Sequence, residues 1–70
     1  MLPLTFADVD KEVTVQLVKG NPEVKKHLED LGFVVGGTVR VVSKNGDNLI
    51  VNVKETRFGL DKSMANKIMI

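Results

Sequence analysis

The chain has 70 residues, ten Lys and Arg against nine Asp and Glu, a net charge of +1, and no cysteine, tyrosine or tryptophan. A chain this short buries only about 60% of the surface its unfolded form exposes, which leaves little stability to hold strained catalytic groups, and the lack of cysteine excludes disulfides, thiolate metal sites and thiol nucleophiles together. The charges are interleaved, as in Asp8-Val9-Asp10-Lys11-Glu12, which argues against the clustered basic face that neutralises phosphates.

The N-terminal Met1-Leu2-Pro3-Leu4 lacks the basic start and apolar stretch of a signal peptide. No apolar run approaches the roughly 20 residues of a membrane span, and small extracellular domains usually carry disulfide staples. These features predict one cytoplasmic domain over residues 1–70, with no membrane insertion and no nucleic-acid partner.

In chain order, Thr5 to Val9 is expected to form a turn of helix, with Thr5 as cap, Asp8 three residues on, and Phe6 and Val9 closing one end of the core. Glu12 to Val18 then alternates, with Val13, Val15 and Leu17 on one side and Thr14 and Gln16 on the other, the pattern of a half-buried strand. Gly20-Asn21-Pro22 ends it and opens a helix over Pro22 to Leu31. Asn21 suits the N-cap, Pro22 the first helical position, and Glu23 the positive end of the dipole. Val24, Leu28 and Leu31 recur at i, i+4 and i+7 as one apolar stripe, and Gly32 stands where a left-handed residue finishes a helix.

Gly36-Gly37 reads as a turn, since it lacks the Lys-Ser/Thr ending of a phosphate loop. Strands are expected over Thr38 to Lys44 and Asn48 to Lys54. A three-residue loop at Asn45-Gly46-Asp47 pairs Val39 with Val53, Val41 with Val51 and Ser43 with Leu49 inside, and Arg40 with Asn52 and Val42 with Ile50 outside. A two-residue loop at Asn45-Gly46 would mix the faces. Thr56 to Leu60 supplies a fourth strand with Phe58 and Leu60 inward. Asp61 caps a helical turn through Ala65, and Lys67 to Ile70 closes the chain as a fifth strand. The predicted class is mostly β: a small five-stranded SH3-like barrel with one short helix after the first strand and a helical turn before the last.

Catalysis fails on inventory, since one histidine and two serines offer only Ser43 or Ser63 with His27 and no orienting group. A proline-peptide groove needs a Tyr and Trp platform that the chain lacks. Contact with a partner protein is the role left. Val18, Val42, Ile50 and Met69 are expected on the strand faces opposite the core, Val42 and Ile50 adjoining, with Arg57 and Lys62 on a charged edge nearby.

The sequence Leu28-x-x-Leu31-Gly32, then Gly37-x-Val39-x-Val41, a Gly46-Asp47 turn, Thr56-Arg57-Phe58-Gly59-Leu60 and Ala65-x-x-Ile68 resembles the ferrous-iron transport protein A (FeoA) family over nearly the whole chain. That resemblance implies a small cytoplasmic SH3-like accessory protein of ferrous iron uptake, a non-enzyme that contacts the FeoB-like membrane transporter; a weak homo-oligomer is left open beside it. The family commonly has apolar-Ala-Leu and then a basic residue where this chain reads Phe58-Gly59-Leu60-Asp61, and a glycine where it has Val9-Asp10. An iron-linked role directs attention to Glu23, His27 and Asp30, at i, i+4 and i+7 of the predicted helix, as a polar stripe offering weak divalent-metal (iron) contact; no resident cofactor is expected. The rival readings are an SH3-like regulatory domain related to iron-dependent repressors and a small SH3-like RNA- or ribosome-binding module.

Overall fold

In the computed structural model, which describes residues 1–70, the chain opens with a 3₁₀ turn over Leu4–Phe6. Residues three apart eclipse one another in such a turn, so Leu4 and Ala7 face the core together while Phe6 is 66% exposed. Val9 is exposed as well. The expected plug of Phe6 and Val9 is therefore replaced by Leu4 and Ala7. Thr5 lies within the turn rather than at its head, and its hydroxyl donates to Asn66 Oδ1 at 2.8 Å.

The alternating run from Glu12 to Val18 is not one strand. It forms β1 (Glu12–Thr14) and β2 (Leu17–Val18), which belong to different sheets. At the break the Val15 N–H donates to the Gly37 carbonyl (2.8 Å), the Gly36 N–H donates to the Val15 carbonyl (2.9 Å), and the Gln16 N–H donates to the Met69 carbonyl (2.7 Å). The change of sheet inverts the alternation. Val15 stays buried, Leu17 turns outward, and Val18 packs against the core. Met69, expected outside, is buried in β6 (Ile68–Met69), which pairs antiparallel with β2.

Helix α1 spans Pro22–Leu31 as the sequence predicts. Asn21 Oδ1 accepts from the Val24 N–H at 2.8 Å, and Gly32 closes the helix at φ 114°. A side chain at Gly32 would be strained and would press on Val53 at 3.3 Å. Leu28 is buried, with Val24 and Leu31 packed beside it.

β3 (Thr38–Asn45) and β4 (Asn48–Val53) form a hairpin whose loop has two residues, Gly46-Asp47, not three. Near the tip Asn45 faces Asn48, Lys44 faces Leu49 and Ser43 faces Ile50; beyond the bulge Val41 faces Val51 and Arg40 faces Asn52. A β-bulge at Val42 reconciles the two registers, taking up one extra residue on β3. The expected inner set of Val39, Val41, Leu49, Val51 and Val53 is buried throughout.

β4 continues through a Lys54-Glu55 turn into β5 (Thr56–Asp61). Leu60 is buried, and the half-buried Phe58 ring meets Phe33 edge-on, with centroids 5.6 Å apart at 84°, a geometry worth about 0.5–1.5 kcal/mol beyond burial. Asp61 accepts from the Met64 N–H (2.8 Å) and starts α2 (Lys62–Ala65). Six strands thus form a four-stranded sheet ordered β1-β3-β4-β5 and a two-stranded sheet of β2 and β6. The chain is mostly β as expected, but the predicted five-stranded barrel is replaced by six strands in two sheets that do not close into a barrel, because the split of the first strand leaves two sheets around one core.

Candidate functional site

Glu23, His27 and Asp30 are all exposed on α1. The structure brings no three His, Asp or Glu together where they could hold a metal ion. Ser43 faces Ile50 on β3 and Ser63 lies on α2. Neither hydroxyl shares a hydrogen bond with His27. The one ion pair joins Lys11 and Asp8 at 3.5 Å on the exposed surface.

The predicted contact residues are spread apart. Ile50 is half-buried on the outer face, between Ser43 on β3 and Gly59 on β5. Val42, expected beside it, is the extra residue of the bulge, so the adjoining pair does not form. Arg57 is exposed opposite Asn52. Lys62 lines a separate small cleft of ≈160 Å³ with Thr5, Lys44 and Asp47. The bulge turns Lys44 onto the core side of the hairpin tip, opposite Leu49, and its ammonium donates to the Thr5 carbonyl at 3.1 Å.

The apolar opening lies elsewhere. A groove of ≈330 Å³ runs between β2, α1 and the segment after α1, lined by Leu17, Val18, Phe33, Val34 and Val35 and flanked by Lys25 and Glu29. Leu17 is 39% exposed and Val35 66% exposed. The turn of β2 brings Leu17 outward, and α1 supplies a charged rim of both signs. A largely apolar floor with a few polar groups at its margin is the usual make-up of a binding groove. Sequence reasoning missed it because Leu17 was phased to the core; the adjacent Val34-Val35 ahead of Gly36-Gly37 was the available signal.

A family model described as the FeoA domain matches residues 2–70. FeoA of Stenotrophomonas maltophilia, solved with zinc and described as an SH3-domain protein and candidate bacterial ferrous iron transport activating factor, is 32% identical at a TM-score of 0.86, covering 99% of this chain and 88% of that one. An iron uptake regulatory protein (FeoA) matches at 23% identity and a TM-score of 0.89, over 97% of this chain and 92% of that one. ScaR solved with bound cadmium matches at 23% identity and a TM-score of 0.84, over 97% of this chain but 33% of that one. No match is found among curated protein sequences. The chain therefore shares the fold of the Stenotrophomonas maltophilia FeoA, described as an SH3-domain protein, with its two sheets left unclosed.

Proposed function

The chain belongs to the FeoA domain family, a family associated with ferrous iron transport, and on that premise we propose that it is a single-domain, cytoplasmic accessory protein of ferrous iron uptake that acts by contact with a FeoB-like membrane transporter. The match over residues 2–70 carries this reading, and the relative described as a candidate activating factor supports it. One feature of the chain agrees with a contact role: its apolar groove beside Leu17 and Val35 is open to a partner. Iron is the transporter's cargo in this reading, and Glu23, His27 and Asp30 offer it a weak polar surface.

Leu17 and Val35 serve as the apolar anchors, and Ile50, Arg57 and Lys62, with Val42 in its bulge, lie outside the main contact. A domain this small presents an interface below about 1,200 Å² in total, the range of transient encounters. A second reading, an SH3-like regulatory domain related to iron-dependent repressors, is suggested by the shared fold of a protein described as a manganese-dependent transcriptional repressor, and expects no effect on transport. Ferrous ion uptake by source cells lacking this gene separates the two. Uptake is expected to fall, and to be restored by the wild type and by His27→Ala but not by Leu17→Glu. Unchanged uptake in the deleted cells would overturn the transport role.

A further inference from the structure

One edge of the four-stranded sheet is left open. β5 pairs only with β4 among the strands, and it is six residues long, with no proline and no bulge along its register. Long regular edges are usually shortened, bulged or covered, because their free N–H and C=O groups invite another strand. β1, at the opposite edge, has three residues.

The hydrogen-bond phase decides which groups of β5 are free. The two-residue Lys54-Glu55 turn closes on Val53 and Thr56, and the Lys62 N–H donates to the Asp47 carbonyl at 2.7 Å. In an antiparallel ladder, hydrogen-bonded and non-hydrogen-bonded pairs alternate. The even-numbered residues of β5 therefore bond to β4, and Arg57, Gly59 and Asp61 direct their N–H and C=O groups away from it. All three residues are exposed.

Gly59, at the centre of this edge, is not explained by the fold. It lies outside the left-handed region, and an added Cβ would make ordinary contacts, 3.7 Å from Ile50 Cδ1 and 3.8 Å from the Leu49 carbonyl oxygen. A side chain there would stand out of the sheet plane and leave the in-plane N–H and C=O groups of the edge free to pair. On either side of it stand Arg57 and Asp61, neither in an ion pair. One Asp61 carboxylate oxygen caps α2, leaving the other free.

We propose that β5 is a self-pairing edge, at which two copies of this chain join antiparallel about a twofold axis through Gly59. In that register Gly59 meets Gly59 of the second copy, and each Arg57 stands opposite Asp61 of the other copy on the same outer face. The three outward-directed residues are also the ones an antiparallel ladder of this register would bond, so charge and backbone phase select the same alignment. Phe58 and Leu60 face each other across the seam on the inner side. The product is a continuous eight-stranded sheet with two charge-complementary pairs and the symmetry that closed dimers use. The groove beside Leu17 takes no part, so this pairing stands or falls independently of the transport role.

Sedimentation equilibrium from roughly 10 µM to 1 mM, a range suited to weak association, tests the pairing on the full chain. The mass is expected to rise from 7.7 kDa toward twice that value. Arg57→Glu sets like charges opposite Asp61 twice and should weaken dimerisation roughly tenfold or more, with an unchanged thermal melt. Gly59→Cys, the only cysteine in its chain, should oxidise to a covalent dimer at concentrations where Lys26→Cys on α1 stays monomeric, because strand-paired Cα atoms lie about 5.5 Å apart, within disulfide reach. A monomer across the whole range, or a dimer indifferent to Arg57→Glu and not trapped by Gly59→Cys, would overturn the proposal.

Discussion

Lys54 and Glu55 hold φ values of 49° and 64°, and Asp10 holds 66°. A left-handed backbone disfavours residues with a Cβ by roughly 1–2 kcal/mol each. At Asp10 this is the place where the resemblance to FeoA proteins calls for a glycine; Asp tolerates it better than most residues, and the Asp10 N–H is held by the Val41 carbonyl at 2.8 Å. At Lys54-Glu55 the turn is imposed from outside, because Val51 opposite Phe58 and Leu49 opposite Leu60 set the register and leave two residues to reverse the chain. Two-residue turns with both φ positive favour Asn-Gly. Replacing Lys54-Glu55 by Asn-Gly should therefore stabilise the protein by about 1 kcal/mol, a rise of roughly 4–8 °C in Tm for a domain of this size. Thermal unfolding followed by circular dichroism checks it, and an unchanged or lower Tm would show that the turn carries no strain. Nothing in the pair Lys-Glu announces a turn, which is why a strand reaching Lys54 was the natural reading of the sequence.

At the scale of elements, legibility followed the number of independent signals. α1 carried four that agree: the Asn21 cap, Pro22 at the first position, the Val24-Leu28-Leu31 stripe and Gly32 at the end. The β3–β4 hairpin carried two that conflict. Alternation required Val41 opposite Val51, whereas Gly46 at φ 58° suits a tight two-residue turn. The bulge at Val42 satisfies both, and no residue type in the sequence marks it. The inner face was thus readable and the outer patch was not. Substituting Val41→Asp, which places an unpartnered carboxylate at a position with no exposure, should destabilise by several kcal/mol and abolish cooperative unfolding. His27→Ala, on the exposed side of α1, should change stability by about 0.5 kcal/mol or less. Denaturant titration of both variants checks this, and a large loss at His27 would give that side chain a structural or ligand role.

For the whole molecule, the decisive feature is a chain that crosses between two sheets at Val15-Gln16. The crossing was hidden in the sequence because the alternation of Val13, Val15 and Leu17 continues without a break in pattern; only the hydrogen bonds to Gly36, Gly37 and Met69 reveal the slip. Its consequence is a groove on the surface. It turns Leu17 outward beside Val35 and opens the groove against α1, while the buried set remains large enough to hold the fold together. No helix is long and apolar enough to cross a membrane. With a net charge of +1, long-range steering is small, and binding should change little with salt and depend on the apolar anchors. The most direct measurement is titration of the labelled protein against a full-length FeoB-like transporter in detergent, alongside Leu17→Glu, Val35→Glu and Ile50→Glu. Saturable micromolar binding is expected, about tenfold or more weaker for Leu17→Glu and Val35→Glu and little changed for Ile50→Glu. Absence of binding at high micromolar concentration, or binding indifferent to both groove variants, would contradict it.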